Sequence, residues 1–335
     1  MFKNIMAFII LITLVGCSDA KSEKKSETQA ENSKKLVFAG PFASVSHPMI
    51  HMIETGALKD MADQIEFRLW KNPDELRALT INGEVDFVAV PTNVAANLHN
   101  KGMDISLLNV SIWGILGMIT RDKTLKKLAD FKGKEIVMPF RSDMPDIVFE
   151  QICKKQGMDP EKDFKLQYVA SPIDAMQMLI MRRVDHALLA EPVISIALRK
   201  TKSFPIKLVA PDLYRSDMLE KEWGEVYKVE GKIPEAGVAY LGDTKGKEKL
   251  IKRFLQEYKK SLEWYQKNPV EAGKMMVKTL PMLDADGLAD SIAHVQMESV
   301  TGKNAQKDLE FFFDVLKENN PKVIGGKLPE SGFYY

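Results

Sequence analysis

The segment from Lys134 to Gly157 contains a complete strand–turn–helix unit, and it restricts the fold of this chain more than any other segment. The apolar run from Glu135 to Phe140 predicts a strand, and Arg141 to Asp143 predict a polar turn. In the helix that follows, Asp143 is placed to cap the first turn and Asp146 takes the third helical position. Such a turn lies beyond the carboxyl end of its strand, where α/β sheets bind ligands. The unit therefore predicts an α/β protein with a ligand site here; a turn that binds nothing is the alternative.

The first 35 residues are predicted to lie outside the fold. The apolar run from Ile5 to Val15 is far shorter than the roughly 20 residues that span a bilayer, so residues 1–16 are interpreted as a signal peptide. Leu14 to Cys17 resembles a bacterial lipobox, which implies cleavage before Cys17 and a diacylglyceryl group on its sulfur; an ordinary signal peptide is the alternative. Residues 17–35 are mostly Lys, Glu, Ser, Asn, Gln and Ala, and are predicted to form a flexible tether.

The remaining residues, from about Leu36 to the end, are numerous enough for two lobes. The chain has 47 basic and 46 acidic side chains, and this balance gives no indication of nucleic-acid binding. If Cys17 is lipidated, Cys153 is the only free thiol. It lies on an apolar helix face, so we expect it to pack in the core; a reactive thiol is the alternative.

Two distant segments share one pattern. When Asn72 is aligned with Ser171, Pro73 falls on Pro172, and the Val-Asp pair at 85–86 falls on the pair at 184–185. Each segment shows a capping residue, a proline, an apolar helix, a short turn and an apolar strand. This repetition predicts two lobes of the same design, with convergence of ordinary α/β patterns as the alternative.

The predicted boundaries follow from these patterns. Residues 36–120 form the first part of lobe 1, residues 121–236 form lobe 2, and residues 237–335 return to lobe 1 and add helices. Leu107 to Thr120 reads as one mostly apolar segment. Lys207 to Pro211 predicts a short strand, and Asp212 to Lys232 reads as irregular. The four-residue spacing of apolar side chains from Leu250 to Leu262 predicts one face of a long helix.

Four short motifs are Asp130-Phe131-Lys132-Gly133-Lys134, Gly83-Glu84-Val85-Asp86, Arg183-Val184-Asp185 with Glu191-Pro192, and Ile233-Pro234-Glu235-Ala236-Gly237. Together they resemble the motifs of a bacterial solute-binding lipoprotein of an ABC transporter, within the nitrate/sulfonate/taurine and thiamine-pyrimidine binding family. The similarity covers most of Leu36 to Asn320. It implies a type II periplasmic-binding-protein fold, in which two α/β lobes meet at a hinge and enclose a ligand in the cleft between them.

The resemblance also implies partners and a location. A small-molecule solute would be delivered to the membrane subunits of an ABC permease. The lipid anchor would hold the protein on the periplasmic or extracytoplasmic face of the cell membrane. The family's substrates range from small oxyanions to flat heterocycles, so a sulfonate, a taurine-like solute or an aminopyrimidine-like solute all agree with the resemblance.

Side chains at the carboxyl ends of the predicted strands are the candidates for ligand binding. They are Phe42, Ser44, Ser46, His47, Trp70, Asn72, Thr92, Asn93, Trp113, Arg141, Ser142, Asp143, Ser171 and Glu191. Arg141 offers a bidentate donor to a sulfonate or carboxylate, and the aromatic members offer stacking surfaces. Asp143 and Glu191 argue against a simple oxyanion and favour an aromatic or zwitterionic ligand with an amine. For both tryptophans core packing is the alternative, and for Asp143 it is a capping role.

Three further functions are consistent with the sequence. His47 and His51 are four residues apart and predict a shared helix face, so a protein that binds a metal chelate is one alternative, although no third ligand is evident nearby. An enzyme of thiamine-pyrimidine synthesis on the same fold is a second, but no nucleophile–base pair is recognisable. A ligand-sensing subunit is the third. We predict a binding protein without catalytic residues, cofactor or bound metal.

Overall fold

The computed structural model describes residues 35–335. The predicted signal peptide, Cys17 and all but the last residue of the predicted tether lie outside this range. Between residues 35 and 335, no helix is both long enough and apolar enough to cross a membrane.

The described chain forms two α/β lobes, each built on its own sheet. The first part of lobe 1 consists of β1 Lys35–Gly40, α1 His47–Thr55, β2 Gln64–Leu69, α2 Pro73–Ile81, β3 Phe87–Pro91, α3 Thr92–Asn100 and β4 Ile105–Gly114. Lobe 2 consists of β5 Leu116–Thr120, β6 Glu135–Pro139, α4 Met144–Lys155, α5 Pro160–Asp163, β7 Lys165–Val169, α6 Pro172–Ile180, β8 His186–Ala190, α7 Val193–Lys202, β9 Tyr214–Met218 and α8 Leu219–Tyr227. The chain then adds β10 Ala236–Leu241, α9 Glu248–Lys267, α10 Pro269–Thr279, α11 Ala285–Ser291, β11 Gln296–Thr301 and α12 Gln306–Asn319.

The two sheets repeat one strand order. It is β2-β1-β3-β10-β4 in lobe 1, with β11 added at the edge, and β7-β6-β8-β5-β9 in lobe 2. In each sheet the first three strands are parallel, and the strand that arrives from the other lobe, β10 or β5, is inserted antiparallel beside them. The predicted capping residues Asn72 and Ser171 both accept hydrogen bonds from the first turns of their helices, α2 and α6. The repetition read from the sequence thus corresponds to a repeated βαβ design.

The chain crosses between the lobes at two places. The first crossing is at Ile115, between β4 and β5, and not near Arg121 as the sequence suggested. The apolar segment from Leu107 to Thr120 hides this crossing because it forms two consecutive buried strands that belong to different sheets. The second crossing runs from the end of α8 to the start of β10, next to the predicted position.

Helix α9 closes the core of lobe 1. Its residues Leu250, Phe254, Tyr258 and Leu262 are buried, as their spacing predicts, and the Phe254 ring stacks on Phe87 of β3 at 4.0 Å between ring centres. Cys153 of α4 is fully buried as predicted, and burial raises the pKa of its thiol. The predicted strand at 207–211 is wrong, since residues 206–208 form a 3₁₀ turn. The segment read as irregular instead contains β9 and α8.

Candidate ligand-binding cleft

A cleft lies between the lobes at the carboxyl ends of their parallel strands. The loops after β1, β2 and β3 form one wall, and those after β6 and β8 form the opposite wall. The crossing residue Ile115, with Glu235 and Ala236 of the second crossing, closes the base. The cleft has a cavity volume of about 120 Å³, which is room for several water molecules. The fold therefore produces a ligand-sized space whose walls belong to two bodies joined by a hinge.

Most of the side chains that line this cleft are apolar. In lobe 1 they include Phe42, Val45, Trp70, Leu76, Val90 and Ile112, and in lobe 2 Leu116, Phe140, Met144, Pro172 and Val193. The Trp70 indole is fixed because its Nε1–H donates to the Ala89 carbonyl at 3.2 Å. Phe140 reaches the cleft from a backbone with a φ of 64°, a region that a bulky residue adopts only when its surroundings enforce it. The lining therefore presents a mostly apolar, partly aromatic surface to the cleft.

Four side chains that carry charge also line the cleft: Lys71, Asp143, Glu191 and Glu235. Glu191 is fully buried, but its carboxylate already has partners. It accepts hydrogen bonds from the Ser195 N–H at 3.0 Å and the Ser195 Oγ at 3.1 Å, and it forms an ion pair with Arg215. The charge of Glu191 is thus balanced by the protein, and Arg215 is occupied in balancing it.

Asp143 lies at the mouth of the cleft and faces the other lobe. Its carboxylate is 3.6 Å from the Arg77 guanidinium on α2, so this ion pair joins lobe 2 to lobe 1. Burial raises the pKa of Asp143 above its usual value, and Arg77 partly opposes that effect. The Asp143 backbone takes the capping position of α4, but its side chain makes no capping hydrogen bond. Asp146, at the third helical position, accepts from the Ser142 N–H at 2.7 Å instead.

Glu235 lies at the base of the cleft with only 2 % of its surface exposed. Its Oε1 accepts a hydrogen bond from the Ile115 N–H at 3.3 Å. Burial, followed by repulsion from Glu220 on α8, raises the pKa of Glu235 well above its usual value. Burial likewise raises the pKa of Glu220 to about 7. Glu220 and Glu235 therefore lie close together beside the hinge, and neither has a basic partner within residues 35–335.

The sequence model of the NMT1/THI5-like family matches residues 64–272, which is more than half of the 335 residues. The chain belongs to the NMT1/THI5-like family. The family resemblance predicted from the sequence is thereby confirmed. Among curated proteins, none matches the chain.

Several solved structures share the fold of this chain. An ABC transporter from Parabacteroides distasonis has 21 % identity and a TM-score of 0.72, over 90 % of this chain and 99 % of that one. The periplasmic aliphatic sulphonate binding protein SsuA from Escherichia coli has 15 % identity and a TM-score of 0.65, over 90 % and 92 %. The periplasmic nitrate-binding protein NrtA from Synechocystis PCC 6803 has 14 % identity and a TM-score of 0.67, over 89 % and 86 %. The predicted type II periplasmic-binding-protein fold is confirmed.

Four of the residues predicted from the sequence meet in the family's cleft: Phe42, Trp70, Asp143 and Glu191. Two of them come from lobe 1 and two from lobe 2. They follow β1, β2, β6 and β8, at the strand carboxyl ends where α/β sheets bind ligands, and their role in ligand binding stays a prediction.

Another four lie buried beneath the lobe 1 wall: Ser44, Ser46, His47 and Thr92. Thr92 donates from its hydroxyl to the Pro234 carbonyl at 2.6 Å. His47 Nδ1 is 2.8 Å from the Tyr265 hydroxyl, and burial lowers the pKa of His47 to about 3, so its ring is neutral near pH 7. His51 stacks on Trp264 instead of sharing a site with His47. Between residues 35 and 335, no group of three His, Cys, Asp or Glu side chains is arranged to hold a metal.

The remaining six predicted residues lie away from the cleft lining. Asn72, Ser142 and Ser171 serve the starts of helices α2, α4 and α6. Asn93 donates to the Val323 carbonyl at 3.4 Å. Trp113 lines a groove on another face, where its indole donates to the Glu298 carbonyl at 2.9 Å. Arg141 is exposed, with its guanidinium 5.3 Å from the centre of the Tyr168 ring.

Several cleft residues were not predicted from the sequence, among them Lys71, Ile115, Phe140 and Glu235. Glu235 lay within the recognised motif Ile233 to Gly237, and a buried acid next to a crossing was the available signal. Phe140 was assigned to the predicted strand, although it is the first residue beyond β6. Ile115 had no local signal, because only the division into two sheets makes it a crossing residue.

The ion pair between Arg77 and Asp143 predicts a measurable effect on ligand release. Replacing Arg77 with alanine removes a contact across the cleft mouth, so we expect a bound solute to dissociate about twofold to threefold faster, as for a partly exposed pair of about 0.5 kcal/mol. Stopped-flow displacement measures this rate. Arg253→Ala is the matched control, since Arg253 pairs with Asp60 and Glu257 within lobe 1. An equal change in both variants would contradict a role for the Arg77 pair in closing the cleft.

The raised pKa of Glu220 predicts that stability depends on pH. Its usual value is 4.5 and its folded value is about 7, so the folded state binds the proton more tightly than the unfolded state. Its contribution is complete below about pH 4.5 and is lost as the pH rises towards 7. We expect Glu220→Gln to exceed the wild type in free energy of unfolding by on the order of 1 kcal/mol at pH 8 but not at pH 4.5, by urea denaturation. Glu298→Gln, on an exposed carboxylate, should show no such difference.

Proposed function

We propose that this protein is the solute-binding component of an ABC importer, which captures a small solute between its lobes and delivers it to the permease. The observation that carries this proposal is the cleft itself. Side chains from both lobes line it, and its base consists of residues from the two crossings. Bending at two short crossings moves one wall relative to the other, which is how hinged proteins close around ligands. The Arg77–Asp143 pair is placed to hold the lobes together once they have closed.

The cleft supports an aromatic, aminopyrimidine-like solute over a sulfonate or a taurine-like solute. Arg141, the residue expected to bind a sulfonate, is exposed and outside the lining. Arg215 is already paired with Glu191. Among the lining residues within the described range 35–335, Lys71 is then the one basic side chain, beside three acids. A sulfonate needs several donors to replace its hydration, whereas the rings of Phe42, Trp70 and Phe140 offer stacking surfaces.

The lipid anchor and the location belong to the same proposal. Cleavage before Cys17 and lipidation of its sulfur would attach the protein to the periplasmic or extracytoplasmic face of the cell membrane. The tether would then let the folded body reach the permease. The proteins SsuA and NrtA, which share the fold, are named as periplasmic proteins that bind aliphatic sulphonates and nitrate.

Binding is favoured over catalysis by the chemistry of the cleft. Its lining, within residues 35–335, contains no serine, cysteine or histidine, the side chains that most often act as nucleophile or general base. The Cys153 thiol is buried in lobe 2. A thiamine-pyrimidine synthase would need such groups beside its substrate.

Native mass spectrometry of the full-length lipoprotein tests the proposal directly. We expect a co-purified small molecule, and we expect aminopyrimidines to raise the melting temperature more than sulfonates or taurine do. Uptake of the identified solute into vesicles that carry the permease then separates an importer subunit from a sensing subunit. Turnover of the solute by the protein alone would contradict the proposal, as would a melting temperature that none of these compounds changes.

A further inference from the structure

The four chargeable groups of the cleft differ in whether the protein already balances them. Asp143 faces Arg77, and Glu191 faces Arg215. Lys71 lies on the exposed rim. Glu235 forms no ion pair with any residue in the range 35–335, and its one side-chain hydrogen bond comes from a backbone N–H. Among these four groups, Glu235 is therefore the one whose carboxylate would have no basic partner within residues 35–335.

The position of Glu235 is fixed from both sides. Its N–H donates to the Ile112 carbonyl at 3.0 Å, and its carbonyl accepts from the Thr92 N–H at 3.0 Å. Its carboxyl group then reaches the first crossing, where it accepts from Ile115. These hydrogen bonds hold Glu235 in a fixed place in the lining of the cleft, which a recognition group requires.

Glu220 lies behind the same crossing. Its side chain occupies the space beside Gly114, where an added Cβ would lie 2.6 Å from the Glu220 Cδ. Glu220 is 5 % exposed, and its Oε2 has no hydrogen-bond partner within the described residues. Within residues 35–335, nearby basic side chains pair with other acids: Lys221 of α8 with Asp217, and Lys232 of the second crossing with Glu230 and Glu298. Burial and repulsion from Glu220 both raise the pKa of Glu235 well above its usual value, which favours the protonated form of its carboxyl group in the empty cleft.

We propose that Glu235 determines the specificity of the cleft by accepting hydrogen bonds from a cationic N–H group of an aromatic solute and releasing its own proton to the solvent as the solute binds. The inference rests on the proposed solute-binding function and adds the charge of the ligand to it. The O–H bond of the acid breaks, the proton passes to water or buffer, and the carboxylate pairs with the N–H⁺ of the ligand.

Electrostatics decide which ligands this arrangement accepts. A carboxylate in an apolar, enclosed site is costly when alone, but a cation at hydrogen-bond distance offsets that cost and forms a charge-assisted bond. A neutral ring finds a protonated acid and binds by stacking alone. Among residues 35–335, an anion finds no available basic partner beside Glu235, because Arg77 and Arg215 already pair with Asp143 and Glu191 and Lys71 lies on the rim.

Calorimetric titration of the full-length lipoprotein in detergent tests the proposal with three probes of nearly the same shape: benzamidine (cationic), benzamide (neutral) and benzoate (anionic). At pH 7 we expect benzamidine to bind at least about tenfold more tightly than benzamide, and benzoate to show no binding. Titrations in phosphate and in Tris, whose protonation heats differ, should show proton release with benzamidine but not with benzamide.

Glu235→Gln should lose both the preference for benzamidine over benzamide and the proton release. Glu298→Gln, which changes an exposed carboxylate on β11, should keep the wild-type values. If Glu235→Gln does not fold, the comparison of buffers on the wild type decides alone. Equal affinity for benzamidine and benzamide, or binding without proton release, would overturn the role of Glu235 but leave an aromatic-binding cleft. Absence of binding by all three probes would overturn the proposed aromatic ligand class itself.

Discussion

Replacing Gly237 with alanine is expected to destabilise the protein by about 3 kcal/mol or more. Gly237 lies in β10, opposite Val90 of β3 and Val110 of β4, so both of its neighbours are strands. An added Cβ would lie 1.8 Å from the Asn109 carbonyl oxygen. That oxygen belongs to the backbone of β4. The close contact is therefore relieved only if β10 and β4 move apart.

Urea denaturation followed by tryptophan fluorescence measures the loss in free energy of unfolding. Gly332→Ala is the matched control: the added methyl meets no heavy atom within 4 Å, and the expected change is below about 0.5 kcal/mol. A Gly237→Ala variant that unfolds at the wild-type urea concentration would show that β10 does not pack between β3 and β4 as described.

Replacing Trp70 with alanine is expected to weaken solute binding by about 30-fold, equivalent to about 2 kcal/mol, the value typical of a buried aromatic contact at the centre of a binding site. Its ring lines the cleft, and the hydrogen bond to Ala89 holds it in place before the ligand arrives. The ligand thus loses a stacking surface that is already ordered. Calorimetric titration with the co-purified solute, or with benzamidine where none is recovered, measures the change.

Trp113→Ala is the matched control, because it removes the same type of side chain from a position outside the cleft. Both tryptophans are nearly buried, at 6 % and 3 % exposure, and both donate their indole N–H to a backbone carbonyl. Trp113 lines the groove that contains Trp223 and Phe311, not the cleft. We expect Trp113→Ala to lower the melting temperature but to leave affinity within about twofold of the wild type. An equal loss of affinity in both variants would mean that the effect of Trp70 comes from general destabilisation.

Local sequence patterns were sufficient to predict the repeated units of this protein. Asn72 and Ser171 cap their helices because a short polar side chain followed by proline favours one backbone geometry. The spacing along α9 identified its buried face for a similar reason, since helical periodicity is a property of neighbouring residues. The motifs that resemble the family extended this local evidence to the two-lobe fold.

The same local evidence identified only some of the residues that line the cleft. Phe42, Trp70, Asp143 and Glu191 follow strands, and the strand ends of one lobe point towards those of the other. Arg141 and Trp113 satisfied the same rule but face elsewhere, because the direction of a side chain after a strand depends on the turn that follows. The strand β9, Tyr214 to Met218, has no alternating apolar pattern, and its pairing with β5 alone makes it a strand.

The sequence by itself determined most helices and strands, their repetition and the edge of each sheet at which the cleft lies. These features follow from interactions between residues that are close along the chain. Tertiary structure alone decided that Ile115 is a crossing, that Glu191 is balanced by Arg215, and that Glu235 lies unpaired beside Glu220. The reason is physical: burial and charge compensation depend on groups brought together from distant positions, and no local pattern records which of them will meet.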